Sequence, residues 1–384
     1  MYKRAQLFKN ADNSSFFVFG ARQTGKTTLF SQIYPEALRY DLLSPAEFER
    51  LTRDPNLLHQ EIITRSGSNV DQKIPIIIDE IQRIPVLLDV IQSLIDKEKF
   101  QFILSGSSAR KLKRQNANLL GGRALSYSLF PLTAHEITDF NLLQALNRGM
   151  IPNHYLNTNF QKRLQAYVGL YLKEEVATEA AVRNLQAFAK FLDAAAFSNG
   201  EMVSFTNIAS ECGVSPITAK EYFNILSDTL IGRFLPAFTK KAKRRVKHAP
   251  KFYFFDLGIT NHLLKRSEIQ PGTENFGRVF EHFIYQELVA HSHYSGRDYS
   301  LSYWRTIADT EVDFILGDHE VAIEVKGTSE VKPKQLKGLR VFMEEFAVKK
   351  AIVVSCDQRP RKVDQILIIP WQDFVQQLWN DDVM

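Results

Sequence analysis

The sequence has very few cysteines and no long apolar run. Its two cysteines, Cys212 and Cys356, are far apart, and neither has a neighbouring thiol. A disulfide scaffold and a zinc site are therefore not supported, and the histidines show no zinc-ligand spacing. No apolar stretch approaches the roughly 20 residues that span a bilayer. We expect a protein of the reducing cytoplasm without a membrane partner.

The chain also lacks internal repeats, low-complexity segments and a strong charge imbalance. Residues 1–15 contain early basic residues but no apolar core, so we expect no secretory signal. A net charge of +5 is a mild basic bias that is compatible with nucleic-acid binding and does not prove it. A length of 384 residues suits two or three domains, each able to bury its own core.

A phosphate-binding motif follows the apolar stretch at residues 16–19. Residues 20–27 read GARQTGKT, which fits G-x-x-x-x-G-K-[ST] without a mismatch. The N–H groups of such a loop and the start of the next helix attract an anion. We predict that Lys26 reaches the β- and γ-phosphates of ATP and that Thr27 ligates Mg²⁺. The residues predicted to bind the nucleotide in this loop are Gly20, Ala21, Arg22, Gln23, Thr24, Gly25, Lys26, Thr27 and Thr28.

A second ATPase motif lies about fifty residues further on. Residues 74–80 read IPIIIDE, and such a β-branched run is typical of a parallel strand buried on both faces. It ends on two carboxylates, at the edge where open α/β sheets bind ligands. This is the form of a Walker B motif. We predict that Asp79 holds Mg²⁺ and that Glu80 polarises the attacking water.

Two further positions are candidates for nucleotide sensing. The apolar strand from Phe100 ends on hydroxyls, and either Ser105 or Ser107 could contact the γ-phosphate; the alternative is that they cap the next helix. Arg123 follows a Gly-Gly turn and could act as a catalytic arginine finger, in cis or from a neighbouring subunit of a homo-oligomer. The alternative for Arg123 is a solvated side chain.

The segment 202–257 has the pattern of a winged helix. Helices at 205–212 and from Ser215 onward have helix-turn-helix spacing, and two strands follow at 230–238 and 251–255. The loop between the strands carries six cations in eight residues, and such density favours a polyanion as its partner. A solvated loop, or a winged helix that only packs domains together, is the alternative. The residues predicted to bind DNA are Lys240, Lys241, Lys243, Arg244, Arg245 and Lys247.

The C-terminal part contains three carboxylates and a lysine on a helix and a hairpin. Glu281 lies in an amphipathic helix, Asp313 on one strand, and Glu324 and Lys326 on the next. The two-residue period of strands lets the hairpin bring Asp313 beside Glu324 and Lys326. Clustered carboxylates repel one another unless divalent cations lie between them. We predict that Glu281, Asp313 and Glu324 bind Mg²⁺ or Mn²⁺ and that Glu324 and Lys326 are catalytic; an exposed Glu324–Lys326 ion pair is the alternative.

The motifs GARQTGKT, IIIDEIQ, LSGSS and GGRA together resemble those of prokaryotic AAA+-type ATPases that carry a C-terminal domain of unknown function. The Asp-x₁₀-Glu-x-Lys spacing, preceded by a helical Glu, resembles the PD-(D/E)xK nuclease superfamily, although Val312 replaces the proline. The same ATPase family carries a nuclease-like fold of this kind. The resemblance implies an α/β protein with a P-loop ATPase domain over 1–150 that has a parallel sheet with helices on both faces. A helical and winged-helix region over 151–270 and a mixed α/β nuclease-like domain over 271–384 follow.

These observations predict a cytoplasmic AAA+-like protein that binds and hydrolyses ATP, binds DNA and can cleave it at a divalent-metal site. The alternative is an ATP-dependent molecular switch or a remodelling ATPase. In that case the C-terminal domain would bind DNA or protein without catalysis.

Overall fold

The computed structural model describes residues 2–9, 11–66, 74–108, 120–177, 182–240 and 246–384, without the side chains of residues 174 and 175. The chain forms two compact units. The first unit comprises residues 6–131 and 228–230. The second unit comprises residues 1–5, 132–227 and 231–384, so most of the predicted second and third domains falls in one unit.

The first unit is built on a five-stranded parallel sheet with the order β2-β3-β4-β1-β5. Every residue of β3 and β4 is buried, as the β-branched runs predict. The predicted α/β class with a parallel sheet is therefore confirmed for this unit. The strands are β1 Ser15–Phe19, β2 Leu38–Asp41, β3 Ile76–Asp79, β4 Phe102–Gly106 and β5 Ala124–Ser128. The α-helices are Lys26–Ile33, Pro45–Arg53, Asn56–Ser66 and Leu87–Glu98.

One predicted helix of the first unit is divided in two. The sequence pattern favours a single helix from Ser44 to Gln60, whereas the first helix ends at Arg53 and the next begins at Asn56. Asp54 has an extended backbone because it precedes Pro55, whose ring disfavours the helical conformation of the residue before it.

The second unit contains a six-stranded mixed sheet and a two-stranded sheet. The large sheet has the order β12-β13-β11-β10-β9-β8, and β6 pairs with β7. Its strands are β6 Gly232–Leu235, β7 Lys251–Phe254, β8 Leu301–Arg305, β9 Glu311–Leu316, β10 Val321–Lys326, β11 Lys350–Ser355, β12 Arg361–Val363 and β13 Ile366–Pro370.

Helices make up most of the second unit before β8. In the part of the chain that the structure describes, no helix is both long enough and apolar enough to cross a membrane. A π-helix covers Tyr167–Val176. The α-helices that begin in this unit are Leu142–Arg148, Pro152–Tyr155, Phe160–Ala166, Leu185–Phe197, Phe205–Cys212, Pro216–Asp228, Leu257–Leu263, Glu274–Tyr294, Lys337–Met343 and Trp371–Trp379.

The predicted helix pair and strand pair of the middle segment are present, with one difference at the loop that joins the strands. Gly213 ends the first helix in the left-handed conformation, with φ at 69°. The strand predicted over 230–238 stops at Leu235, and the chain beyond it pairs with β8 instead. Phe238 N–H donates to Tyr303 O at 2.6 Å, and Lys247 N–H donates to Arg305 O at 2.9 Å. The described ends of this loop are thus fixed on the large sheet.

Candidate nucleotide site and carboxylate cluster

The two glycines of the P-loop meet different steric needs. Gly25 precedes the Lys26–Ile33 helix with φ at 96°, a left-handed conformation that favours glycine. Gly20 needs no special backbone angle, but a Cβ there would lie 2.5 Å from Leu129 O. The motif therefore combines one flexible position with one position of close backbone approach.

Lys26 is buried inside the loop. Its Nζ donates to Gly20 O at 2.8 Å and lies 3.8 Å from Glu80 Oε1. Burial lowers the pKa of Lys26, whereas the carboxylates of Glu80 and Asp79 oppose this shift. The ammonium group is thus held between the loop and the Walker B carboxylates.

Asp79 accepts hydrogen bonds from two hydroxyls. Thr27 Oγ1 donates to Asp79 Oδ2 at 2.6 Å, and Ser105 Oγ donates to Asp79 Oδ1. A hydroxyl and a carboxylate in contact are the oxygen ligands that Mg²⁺ takes in P-loop ATPases. The residues present therefore fit a magnesium–nucleotide complex.

Glu80 has an unusual backbone and a fully engaged side chain. Its φ and ψ are 58° and 46°, left-handed values that are rare outside glycine. Ser107 Oγ donates to Glu80 Oε2 at 2.8 Å, and Gln82 Nε2 donates to the same oxygen. Gln82 Nε2 also donates to Ser107 Oγ at 3.1 Å. Ser105 thus contacts one Walker B carboxylate and Ser107 the other.

Sequence reasoning missed Gln82. Its position two residues after Glu80, in a short 3₁₀-helix, was the available signal. Its side chain is buried, and its Oε1 has no hydrogen-bond partner in the described structure.

Arg123 forms an ion pair with a neighbouring helix. Its Nε donates to Asp96 Oδ1 at 2.6 Å, and both side chains are about 40% exposed. Exposed pairs of this kind contribute little to stability. The contact fits the solvated alternative, and a role as an arginine finger stays a prediction.

Asp313, Glu324 and Lys326 lie together in the second unit. Phe314 pairs with Ile323, and the next residues in these antiparallel strands are Asp313 and Glu324. Lys326 Nζ lies 2.5 Å from Glu324 Oε1 and 3.9 Å from Asp313 Oδ2. Asp313 Oδ2 also accepts the Val325 N–H at 2.7 Å. The Glu324–Lys326 ion pair of the alternative is therefore present, but its side chains are largely buried and do not lie on an exposed sheet face.

Two residues of β7 extend this cluster, and sequence reasoning missed both. Lys251 Nζ forms ion pairs with Glu311 and, at 3.6 Å, with Glu281. Tyr253 O–H donates to Glu281 Oε1 at 2.6 Å. The available signal was a lysine at the start of an aromatic strand, and this lysine is 3% exposed in the fold. We call Glu281, Glu311, Asp313, Glu324, Lys251, Tyr253 and Lys326 the carboxylate cluster.

The carboxylate cluster has more acidic than basic groups. When all are ionised, four carboxylates face three cations, the two lysines and Arg305, whose Nη1 lies 3.1 Å from Glu311 Oε2, which leaves an excess of one negative charge. Burial raises the pKa of Glu281 to about 7 against the effect of Lys251, with Asp313 adding to the shift. Burial and Asp313 raise the pKa of Glu324 to about 8. Glu324 Oε2 is buried without a hydrogen-bond partner in the described structure.

In the described structure, lysine ammonium groups lie beside the acidic oxygens of the cluster. Among the residues that the structure describes, no group of three or more His, Cys, Asp or Glu side chains is spaced to hold a metal ion. The metal-ligand roles of Glu281, Asp313 and Glu324 therefore stay predictions.

The basic loop between β6 and β7 is described only at its ends. Lys241, Lys243, Arg244 and Arg245 lie outside the described residues. Lys240 pairs with Asp318, and Lys247 pairs with Asp309, each at 2.5 Å. Nucleic-acid binding by this loop stays a prediction.

Three family profiles match successive parts of the chain. Residues 12–138 match the AAA domain. Residues 139–270 match a Domain of unknown function (DUF8612), and residues 276–374 match a second Domain of unknown function (DUF4143).

Relatives along most of the chain are uncharacterized proteins. One from Mycobacterium tuberculosis is 26% identical over 363 residues, covering 91% of this chain and 78% of the relative. One from Methanocaldococcus jannaschii is 25% identical, covering 96% and 86%, and one from Haemophilus influenzae is 19% identical, covering 94% of each.

A solved structure of a signal-transduction ATPase with a tetratricopeptide-repeat sensor from Pyrococcus horikoshii aligns with 77% of this chain and 50% of that chain. The identity is 15% and the TM-score 0.24. The P-loop, the Walker B strand and the match to the AAA domain together identify residues 12–138 as a P-loop ATPase domain of the AAA type.

Proposed function

We propose that this protein is an ATPase whose second unit is a divalent-metal-dependent nuclease acting on DNA. The observation that carries the nuclease part is the carboxylate cluster, in which carboxylates outnumber the cations that pair with them and Glu324 Oε2 is unpartnered. A divalent cation would supply the missing positive charge.

The ATPase part assigns a role to each polar group near the loop. Lys26 binds the β- and γ-phosphates, and Thr27 and Asp79 hold Mg²⁺. Glu80 orients and polarises the attacking water. Ser107 and Gln82 fix the Glu80 carboxylate, because both donate to Oε2. Ser105 acts through Asp79, to which it donates.

The order of elements in the second unit supports a nuclease-like core. A long helix, Glu274–Tyr294, precedes three antiparallel strands, β8 to β10, and a helix then leads to β11, which is parallel to β10. The four carboxylates lie on this helix and these strands. A helical glutamate followed by a hairpin that carries the Asp-x₁₀-Glu-x-Lys spacing is the pattern on which the resemblance to the PD-(D/E)xK superfamily rests.

Individual side chains of the carboxylate cluster would have separate tasks. Glu281, Asp313 and Glu324 would hold Mg²⁺ or Mn²⁺, which supplies an activated water and offsets charge on the phosphate. Lys326, whose pKa is raised by Asp313 and Glu324 against the effect of burial, would stay protonated and neutralise the substrate phosphate. Lys251 and Tyr253 position Glu281.

The test is cleavage of single- and double-stranded DNA in Mg²⁺ and in Mn²⁺, with and without ATP. We expect cleavage by the wild type, its loss in Glu324→Ala, and no change in Glu330→Ala, which removes an exposed carboxylate of the same unit. Lys26→Ala would show whether ATP controls cleavage. Absence of cleavage in every condition, with ATP still hydrolysed, would contradict the nuclease.

One observation favours a different function. The lysines already pair with the carboxylates, and the described residues contain no group spaced as metal ligands. A non-catalytic second unit would make the protein an ATP-dependent switch or remodelling ATPase that binds DNA or protein. An Arg123 finger acting between subunits of a homo-oligomer would belong to that function.

A further inference from the structure

The helical part of the second unit contains a large polar groove. Its volume is about 830 Å³, within the range of ligand-binding clefts. The groove is lined by residues of the helices Leu142–Arg148, Phe160–Ala166 and Leu257–Leu263 and of the segment that follows the last helix.

Cations dominate the charged lining of this groove. Arg148, Lys162, Lys265 and Arg266 line it, and Glu268 is the carboxylate among the lining residues. Within the described part of the chain, none of these four cations forms an ion pair with a carboxylate. An uncompensated set of four cations favours an anionic ligand.

Two of the guanidinium groups are held in position by neutral partners. Arg148 Nη1 donates to Tyr155 O at 3.3 Å, and the guanidinium lies 5.3 Å from the centre of the Phe160 ring. Arg266 Nη1 donates to Asn261 Oδ1 at 3.2 Å, while the buried Asn261 donates to Leu146 O at 2.7 Å. These contacts fix the arginines without neutralising them, as a preorganised phosphate site requires.

A second cavity of about 550 Å³ adjoins the groove, since Leu143 lines both. It is also lined by Thr273, the residue that caps the Glu274–Tyr294 helix, and by Gly327. Gly327 directly follows Lys326 of the carboxylate cluster. Leu143 therefore separates the cationic groove from a second cavity that extends to the residue after β10.

We propose that the groove binds the phosphate backbone of a single nucleic-acid strand and directs it toward Lys326. The delivery of the strand toward Lys326 rests on the proposed nuclease function, whereas its binding in the groove does not. Spaced cations beside an aromatic ring are the usual means of holding a single strand. A groove of this volume admits a few nucleotides of one strand rather than a duplex.

The experiment measures binding of a fluorescent oligothymidylate to the full chain in EDTA, without ATP. Lys162→Gln/Lys265→Gln removes two exposed cations of the groove. Lys349→Gln/Lys362→Gln removes two exposed cations on the strand β12 and before β11, and serves as the matched control. We expect at least tenfold weaker binding for the groove variant at about 0.15 M salt. Its log–log salt slope should fall by about 1.4, the value for two lost phosphate contacts to a single strand.

Equal affinity of the two double variants would overturn the proposal. Competition by other anions would also overturn it. In this case pyrophosphate or poly-glutamate would displace the labelled oligonucleotide at a concentration of negative charge at which unlabelled oligonucleotide does not displace it. Because EDTA prevents metal-dependent cleavage, loss of binding in the groove variant supports the groove even if the protein never cuts DNA. Conversely, if the groove variant cleaves DNA and binds the oligonucleotide as the wild type does, the proposed nuclease function stands and the proposed role of the groove is wrong.

Discussion

Glu80 combines a left-handed backbone with a carboxylate that two neighbouring side chains hold in place. Such a backbone costs about 1–3 kcal/mol in a residue other than glycine and is found mainly where function requires it. The next residues form the 3₁₀-helix that carries Gln82, so the turn aims both side chains at the same place.

Glu80→Gln should lower ATP hydrolysis at least about a hundredfold, because a general base contributes about 10²–10⁴ in rate. Nucleotide affinity should change little, since Lys26 and Thr27 remain. Gln82→Leu should lower the rate less, because it removes one of two donors to Glu80. Phosphate release and binding of a fluorescent nucleotide measure the two effects, with the exposed Glu98→Gln as control. Full hydrolysis by Glu80→Gln would disprove its role.

His282 makes the stability of the second unit depend on pH below neutrality. Its Nε2–H donates to Phe254 O at 2.7 Å, and its Nδ1 accepts from Asn199 at 3.3 Å, which fixes a neutral ring. Burial lowers the pKa of His282 to about 4, from 6.5. Between pH 6.5 and about pH 4, His282 therefore binds a proton in the unfolded chain but not in the folded chain.

The contribution of His282 to the free energy of unfolding should be complete above pH 6.5 and should fall by about 3 kcal/mol as the pH drops from 6.5 toward 4. Urea unfolding at pH 7.5, 6 and 5 measures this slope. His282→Gln should flatten it, whereas His248→Gln, an exposed site, should not. An unchanged slope in His282→Gln would show that the histidine is protonated in the fold.

At the scale of residues, the motif positions were predictable and their supporting partners were not. Lys26, Asp79, Glu324 and Lys326 could be named because a fixed spacing joins each to its neighbours. Gln82, Lys251 and Tyr253 could not, because only the folded chain brings them to the carboxylates they contact.

Among the elements, the helix Glu274–Tyr294 shows how local signals and packing combine. Thr273 caps its start by accepting the Phe276 N–H at 3.2 Å. Gly277 lies within it, and a Cβ there would meet nothing within 4 Å. The glycine therefore weakens the helix without a steric reason.

Gly277→Ala should stabilise the second unit by about 0.5–1 kcal/mol, because alanine loses less backbone entropy in a helix. Chemical denaturation measures the change. Gly327→Ala provides the contrast, since its Cβ would lie 2.9 Å from the Phe276 ring and 3.0 Å from Gly277 Cα. Gly327→Ala should destabilise the second unit. A stabilising effect of Gly327→Ala, or a destabilising effect of Gly277→Ala, would contradict the close approach at Gly327 and the free space at Gly277.

Elements with strong apolar runs were predictable from sequence, and Asp313 and Glu324 lie on the two paired strands β9 and β10, as the pattern predicts. The strand β12 was missed because Arg361–Val363 has only one apolar residue. The helix Leu257–Leu263 was missed although Asp256 caps it, since the predicted strand continued to Phe255 and obscured the signal. Tertiary pairing with β8, rather than local propensity, decides where the chain after Leu235 goes.

For the whole molecule, the division into two compact units predicts that a different ligand stabilises each unit against unfolding. In calorimetry, MgATP at about 100 times its Kd should stabilise the first unit by about 2.7 kcal/mol, and Mn²⁺ should stabilise the second. Lys26→Ala should remove the nucleotide effect alone, and Glu324→Ala the Mn²⁺ effect alone. Loss of both effects in either variant would show that the sites do not act as separate binding centres.

The second unit is discontinuous in sequence, because residues 1–5 belong to it while residues 6–131 do not. Arg4 Nε donates to the buried Glu136 Oε1 at 2.9 Å, and Ala5 N–H donates to the same oxygen. A fragment that starts at residue 132 would therefore leave the buried Glu136 carboxylate without its arginine partner. Dissection of this protein into single-function pieces calls for a graft of the first five residues onto the later segment, with a linker in place of the ATPase domain.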